Sequence, residues 1–274
     1  MVVLLLLRAG YLAASALILV LQAIPALRSR FMAYGSRAPP LKTPAETPAT
    51  ALDGLLDYAA SFQVPHNYFT HFYAISVASS VFWGWRQELW GAGGKVRMAW
   101  LLMLLQGMRR LLESHVYTAT SRSQMWFAHW MLGCLFYLAT NIAIWIEFEV
   151  DGACPLGWEA IVLVPAILAA HYLQHSYHAY LYRLRTQNQT YQLPSHPLFP
   201  NLLCPHYTCE VAIYALLSFL AAPRGRMVNW SLMSASVFVL VNLGVTAVGT
   251  KEWYADKFGQ SQVSGRKRMI PWLW

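Results

Sequence analysis

Apolar residues gather into seven long runs separated by short polar stretches. A helix needs about 20 such residues to cross a bilayer. The runs are Val2–Leu27, Tyr68–Trp85, Val96–Val116, Met125–Phe148, Trp158–Leu181, Tyr207–Ala222 and Val228–Val248, the sixth being short. The first could be a secretory leader. It lacks a basic start and a small-x-small cleavage site, so it reads as a retained span. The pattern is strand-free and shows no repeat of about 20–50 residues. It predicts an all-α integral membrane protein, a seven-transmembrane-helix bundle. Residues 1–66 would form an N-terminal transmembrane helix with a cytosolic linker, and residues 67–274 a six-helix core with a cytosolic tail.

Composition agrees with that class. The 274 residues are 57% hydrophobic and 12% charged, against about 25% charged in an average soluble domain. Twelve Trp, fifteen Tyr and twelve Phe suit membrane interfaces. The net charge of +8 could suggest nucleic acid, but the basic residues are scattered between apolar runs, and loop asymmetry explains them better. With the C-terminus in the cytosol, fourteen Lys and Arg fall on the cytosolic side, Arg37, Lys42 and Arg122 among them, and six on the other. The positive-inside rule selects this orientation. Cys134, Cys154, Cys204 and Cys209 contain no C-x-x-C and make neither a disulfide framework nor a zinc site.

The loops carry lesser signals. The first begins Pro-, Ala- and Thr-rich, as a flexible linker does, and "ALDGLLDYAASF" suits a short interfacial helix. Sequons at Asn188 and Asn229 are expected to be unused, the first facing the cytosol and the second crowding a span.

Ionisable groups inside apolar runs are costly and default to functional candidates. "MRRLLESHVYT" puts Arg110, Glu113 and Tyr117 on one helical face. It reads either as a snorkelling arginine pair with a counter-ion or as a guanidinium aimed at a phosphate. In "HYLQHSYHAYLYRLR", His171, His175 and His178 share a face that continues to Tyr182 and Arg185. A metal, interfacial packing and a polar wall for a charged or heteroaromatic ligand are the three readings. The remaining histidines are dispersed without an H-x-x-H-H set, so no metal is expected. "CPHYTCEVAIY" sets Glu210 one turn inside an apolar helix with His206 four residues earlier. That is either a structural pair or part of a site. The tail brings Tyr254 and Phe258 one turn apart and a basic run, Arg266–Arg268, suited to a membrane surface. No P-loop or G-x-G-x-x-G after a strand appears, so any nucleotide must bind within helices and cytosolic loops.

Five blocks in order resemble the steroid 5-alpha-reductase family, and within it the polyprenol (polyprenal) reductase branch. They are "VPHNYFTHFYAISV", "RRLLESHVYT", "QHSYHAYLYRLR", "CPHYTCE", and "WYADKFG" followed by "RKRMIP". The resemblance spans Val64 to Trp274. It implies a seven-helix bundle of the endoplasmic reticulum membrane, with NADPH bound from the cytosolic side. It also implies reduction of the alpha-isoprene double bond of a long polyprenyl lipid, on the dolichol route that supports protein N-glycosylation. Carried over by position, it implies cofactor contacts from Arg110, His175, His178, Arg185, His206, Glu210 and Tyr254. His206 stands where the branch has Asn, Gln192 where steroid reductases carry Arg, and Thr250 where relatives often place His. The Gln–Glu pair that faces a steroid carbonyl is absent, with Asp57 and Tyr58 the nearest polar residues. His71 and Tyr73 are the candidates for contacting the substrate carbonyl and donating the proton. Partners are then the lipid substrate and the bilayer, with no nucleic acid and no obligate protein partner. A steroid dehydrogenase, an isoprenylcysteine-type methyltransferase and a seven-span receptor or transporter are the alternatives. The methyltransferase pattern wants an R-x-x-x-E-E run where this chain has only Lys251-Glu252.

Overall fold

A computed structural model of the chain describes residues 1–32, 50–117, 123–151 and 154–274. Arg37, Lys42 and Arg122 of the charge count, and the Pro-, Ala- and Thr-rich part of the first loop, lie outside the described residues. Helices stand at each of the seven apolar runs. They are α1 (Val2–Ala23), α4 (Phe69–Arg86), α5 (Gly94–Val116), α6 (Phe127–Asp151), α7 (Ala160–Thr186), α8 (Pro205–Leu220) and α9 (Trp230–Phe258). Short helices α2 (Pro25–Phe31), α3 (Ala51–Ser61) and α10 (Gln260–Val263) lie in the first connection and the tail. Among the described residues, α1, α6 and α9 are long and apolar enough to cross a membrane.

Local chemistry sets the boundaries. The first apolar run breaks before Leu27. Ile24, preceding Pro25, takes an extended backbone, so α1 ends at Ala23 and α2 begins with proline at its first position. Pro205 likewise opens α8. The last apolar run does not end at Val248. The helix continues to Phe258 and stops at Gly259, whose φ of 92° lies in the region glycine favours. This extension turns Thr250, Trp253 and Tyr254 inward from what the sequence suggested was tail. The interfacial helix appears as α3, with the Thr50 hydroxyl accepting from the Asp53 backbone N–H.

The strand-free expectation needs one correction. β1 (Gln63–Pro65) pairs antiparallel with β2 (Gln124–Trp126), in the register Gln63 to Trp126 and Val64 to Met125. Three-residue strands leave too few positions for an alternating pattern to show. The ribbon ties the entrance of α4 to the entrance of α6.

Packing runs α7 on α8, α1 on α9, α4 on α5 and α6, and α8 on α9. Polar pairs pin these contacts. Tyr11 of α1 shares a hydrogen bond of 2.9 Å with Thr140 of α6, and Ser80 of α4 donates to Asn141 of α6 at 2.5 Å. Away from the cavity described below, the buried Glu147 carboxylate accepts from Arg8 at 2.8 Å, from the Ser231 N–H at 2.6 Å and from the Ser231 hydroxyl at 2.7 Å. It thus neutralises Arg8 and the positive end of α9 together. Asn229, fully buried, caps α9 by accepting from the Leu232 N–H and donates its amide to the Ala143 carbonyl. Its sequon is therefore a helix cap.

At the opposite end the tail folds back. Leu203 N–H donates to the Lys267 carbonyl at 3.0 Å, Cys204 N–H to Arg268 at 2.8 Å, and Lys251 Nζ to Arg266 at 2.6 Å. The basic run is thereby held against the start of α8.

Replacing Glu147 by Ala should lower stability by about 2 kcal/mol or more, since it removes the acceptor of the Ser231 N–H and strands Arg8 at once. Thermal unfolding in detergent measures this, and Glu147→Gln should recover part of the loss.

Candidate active site

Four helices bring polar residues to one place, and three of them carry theirs at intervals of three or four. Gln106, Arg109, Arg110 and Glu113 come from α5. His171, Gln174, His175 and His178 come from α7, His206 and Glu210 from α8, and Tyr73 from α4. Glu113, 4% exposed, is the hub. One of its oxygens accepts from Arg109 Nη1 at 2.6 Å and faces His175 Nδ1 at 2.8 Å. The other accepts from Arg110 Nη1 at 2.5 Å and faces His178 Nδ1 at 2.8 Å. A buried carboxylate without such partners would be strongly destabilising.

The two arginines then diverge. Arg110 donates its other terminal nitrogen to the Tyr73 hydroxyl at 2.5 Å, and its Nη1 lies 2.9 Å from His178 Nδ1. Arg109 donates to Gln106 Oε1 at 2.7 Å, to Gln174 Oε1, and through Nε to His171 Nδ1 at 3.3 Å. Both amides turn their nitrogens to Glu210, that of Gln106 reaching both carboxylate oxygens at 3.0 Å.

This network borders a cavity of about 790 Å³, within the range of small-molecule sites. Part of its lining is apolar, from Phe69, Phe72, Met125, Leu132, Phe136 and Phe238, with His66, Asn67 and His129 lining it from the same segments. Gly133 lies there against Phe72, and a Cβ on it would come within 2.5 Å of the ring. Another part is polar, with Tyr117, Tyr182, Arg185, Tyr191, Trp253 and Tyr254. Arg185 stacks 4.2 Å from the Tyr191 ring, and Lys257 Nζ approaches the same ring at 5.1 Å. Tyr117 stacks on Tyr182, and burial together with the Glu113 charge raises its hydroxyl pKa above the ordinary value. His206 lines the cavity stacked on Tyr177, and its Nδ1 is buried with no hydrogen-bond partner among the described residues.

Of the residues singled out in sequence, Tyr73, Arg110, His178, Arg185, His206, Glu210 and Tyr254 border the cavity together. His175 stands behind Glu113 with its side chain 46% exposed. Arg110 is committed to Glu113, Tyr73 and His178. The structure does not bring His71 to the cavity beside Tyr73. Residues two apart on a helix point to different faces, and only Tyr73 faces inward. His71 is exposed, stacks on Tyr68 at 4.4 Å and accepts from Trp130 Nε1 at 3.3 Å. Asp57 and Tyr58 sit on α3 and do not border the cavity, and Asp57 pairs with Arg30 at 2.5 Å. Gln106, Gln174, Tyr137 and Asn242 were missed. Each is a polar or hydroxyl-bearing side chain within an apolar run, which is the signal that could have found them. Tyr137 borders the cavity with its ring 5.6 Å from that of Tyr73. Among the described residues no group of three or more His, Cys, Asp or Glu is placed to hold a metal ion.

Residues 121–274, more than half of the chain, match the family model described as 3-oxo-5-alpha-steroid 4-dehydrogenase. The chain belongs to this family. Its relatives include the polyprenal reductase of Saccharomyces cerevisiae, 27% identical over 85% of this chain and 82% of that one. Polyprenal reductase 1 of Oryza sativa subsp. indica is 26% identical, covering 90% of this chain and 89% of its own. The polyprenal reductase of Danio rerio is 25% identical, with 77% and 80% covered. The family match takes in α6 to α9, which supply the histidine column, Glu210 and Tyr254. The α4 and α5 residues Tyr73, Arg110 and Glu113 lie outside it.

Glu113→Gln should destabilise the protein by about 3 kcal/mol or more, because it keeps the shape but removes the carboxylate that both Arg109 and Arg110 bond directly. A melting curve in detergent that matches wild type would contradict the hub assignment.

Proposed function

We propose that the chain is an NADPH-dependent oxidoreductase that saturates the alpha-isoprene double bond of polyprenal, on the dolichol route that supports protein N-glycosylation. What supports this reading is a cavity whose lining has an apolar part and a polar part and includes a buried tyrosine. The apolar part suits the first units of a prenyl chain. The polar part suits a dinucleotide, since it offers the Arg185 cation, aromatic faces and the unpartnered His206 nitrogen. Bound there, NADPH would supply a hydride.

The chain's own contribution centres on Tyr73. Arg110 only donates, so the Tyr73 oxygen receives a hydrogen bond and its own proton points elsewhere. Tyr73, 6% exposed, borders the cavity, and its hydroxyl can donate to an aldehyde oxygen. A conjugated aldehyde passes developing negative charge to that oxygen, where a fixed donor stabilises it most. An isolated alkene offers no such oxygen, and for this reason polyprenal is favoured over polyprenol. Glu113 holds Arg110 in place. With Arg109 and Arg110 balanced by Glu113 and Glu210, the anionic part of the cofactor is assigned to Arg185. His175 acts by steadying Glu113, while His178, His206 and Tyr254 face the cofactor.

By the same reading all seven long helices cross the endoplasmic reticulum membrane, with the C-terminus in the cytosol. Residues 67–274 then form the reductase core, and residues 1–66 its N-terminal helix and cytosolic linker. The site lies at the end of the bundle that loop charge assigns to the cytosol, where the cofactor is available.

Purified protein in detergent, given NADPH and a polyprenal, should release product saturated at the alpha unit as NADPH is consumed. Absence of both would overturn the reading. Polyprenol and a 3-oxo-4-ene steroid in parallel assign the substrate class. Tyr73→Phe should lower kcat by about 100-fold while the KM for polyprenal changes little.

A further inference from the structure

The amide pair between Arg109 and Glu210 has no part in the chemistry assigned to Tyr73, yet it is almost completely specified. Gln106 and Gln174 come from different helices, and both are buried, at 0% and 2% exposure. Each gives its oxygen to the same Arg109 nitrogen. A guanidinium has no acceptor, so each amide must turn oxygen towards Arg109 and nitrogen towards Glu210. The orientation of both amides therefore follows from Arg109.

The consequence falls on Glu210. An ionised carboxylate has about four acceptor sites. Gln106 Nε2 reaches both oxygens at 3.0 Å, and Gln174 Nε2 reaches Oε2. Gln174 also donates to the His206 carbonyl at 3.2 Å, so all its polar atoms are engaged. Three contacts on Glu210 leave about one acceptor position, on a residue that borders the cavity. A satisfied network of this kind holds its members in one arrangement.

We propose that Gln106 and Gln174 are positioning residues. They hold the Glu210 carboxylate immobile, with one acceptor site open to a hydroxyl or carboxamide donor of the cofactor. The inference rests on the NADPH reading above. It adds a polarity to the site. Glu210 accepts from neutral donors and repels phosphate, whereas Arg185, which lines the same cavity, attracts phosphate. The cofactor therefore enters with its donor-rich part towards Glu210 and its phosphates towards Arg185.

The test is NADPH affinity, read by fluorescence titration of the full-length protein in detergent, together with its melting temperature. Gln174→Glu places a second carboxylate against Glu210 and should weaken NADPH binding at least tenfold. Gln106→Asn keeps the amide but shortens its reach, and should weaken binding several-fold. The exchange Gln174→Glu with Glu210→Gln restores an amide–carboxylate pair with the groups reversed. It should recover the melting temperature of the single variant but not NADPH affinity. Wild-type affinity in both single variants, or recovery of affinity by the exchange, would overturn the positioning role. Failure of the wild-type protein to bind NADPH would instead overturn the cofactor reading and this inference with it.

Discussion

A single buried carboxylate organises one end of this bundle. Glu113 lies among two guanidinium groups and two imidazoles, all within 2.8 Å. Arg109 and Arg110 are adjacent in sequence, and their like charges would drive the side chains apart in a low-dielectric interior. The carboxylate converts that repulsion into two fixed directions. Arg110 is turned towards Tyr73 and the cavity, and Arg109 towards the amides and His171. Arg109, Arg110, His175 and His178 are thus all referred to one side chain on α5.

The other end of the bundle is built by the same rule and to a different purpose. Glu147 also neutralises an arginine, but its remaining contacts go to the backbone at the start of α9 and to Ser231. Its partners are structural groups, and none of them borders the cavity. Both carboxylates are almost completely buried and both hold an arginine. What separates them is where the spare hydrogen-bonding capacity points. Glu147 closes a joint, whereas Glu113 hands capacity onward through Arg110 to a hydroxyl that faces open space.

The helical architecture was legible because long apolar runs give a strong signal. Most of the wall was legible too, since Arg110, His178, His206 and Glu210 are ionisable groups where apolar residues are expected. Other features left weaker traces. Gln106 and Gln174 are neutral, and their importance comes from two charged residues on either side of them in space. The inward turn of Tyr254 depended on α9 running past Val248, where the apolar signal fades although the helix does not. His71 and Tyr73 looked equivalent as residue types, and only the helix rotation distinguishes them. The histidine column, which invited a metal, has Glu113, Arg109 and Arg110 as its partners, groups brought from another helix.

Gly133 and Phe72 share one small volume in the apolar part of the lining, the bare Cα of one filled by the ring of the other. Neither position is free to vary alone. A methyl group at position 133 would displace the ring, and a smaller side chain at position 72 would leave a void beside the glycine. Over evolutionary time the two sites should therefore change as a pair, with bulk moving from α4 to α6 or back. The width of the slot can drift between lineages only through that exchange.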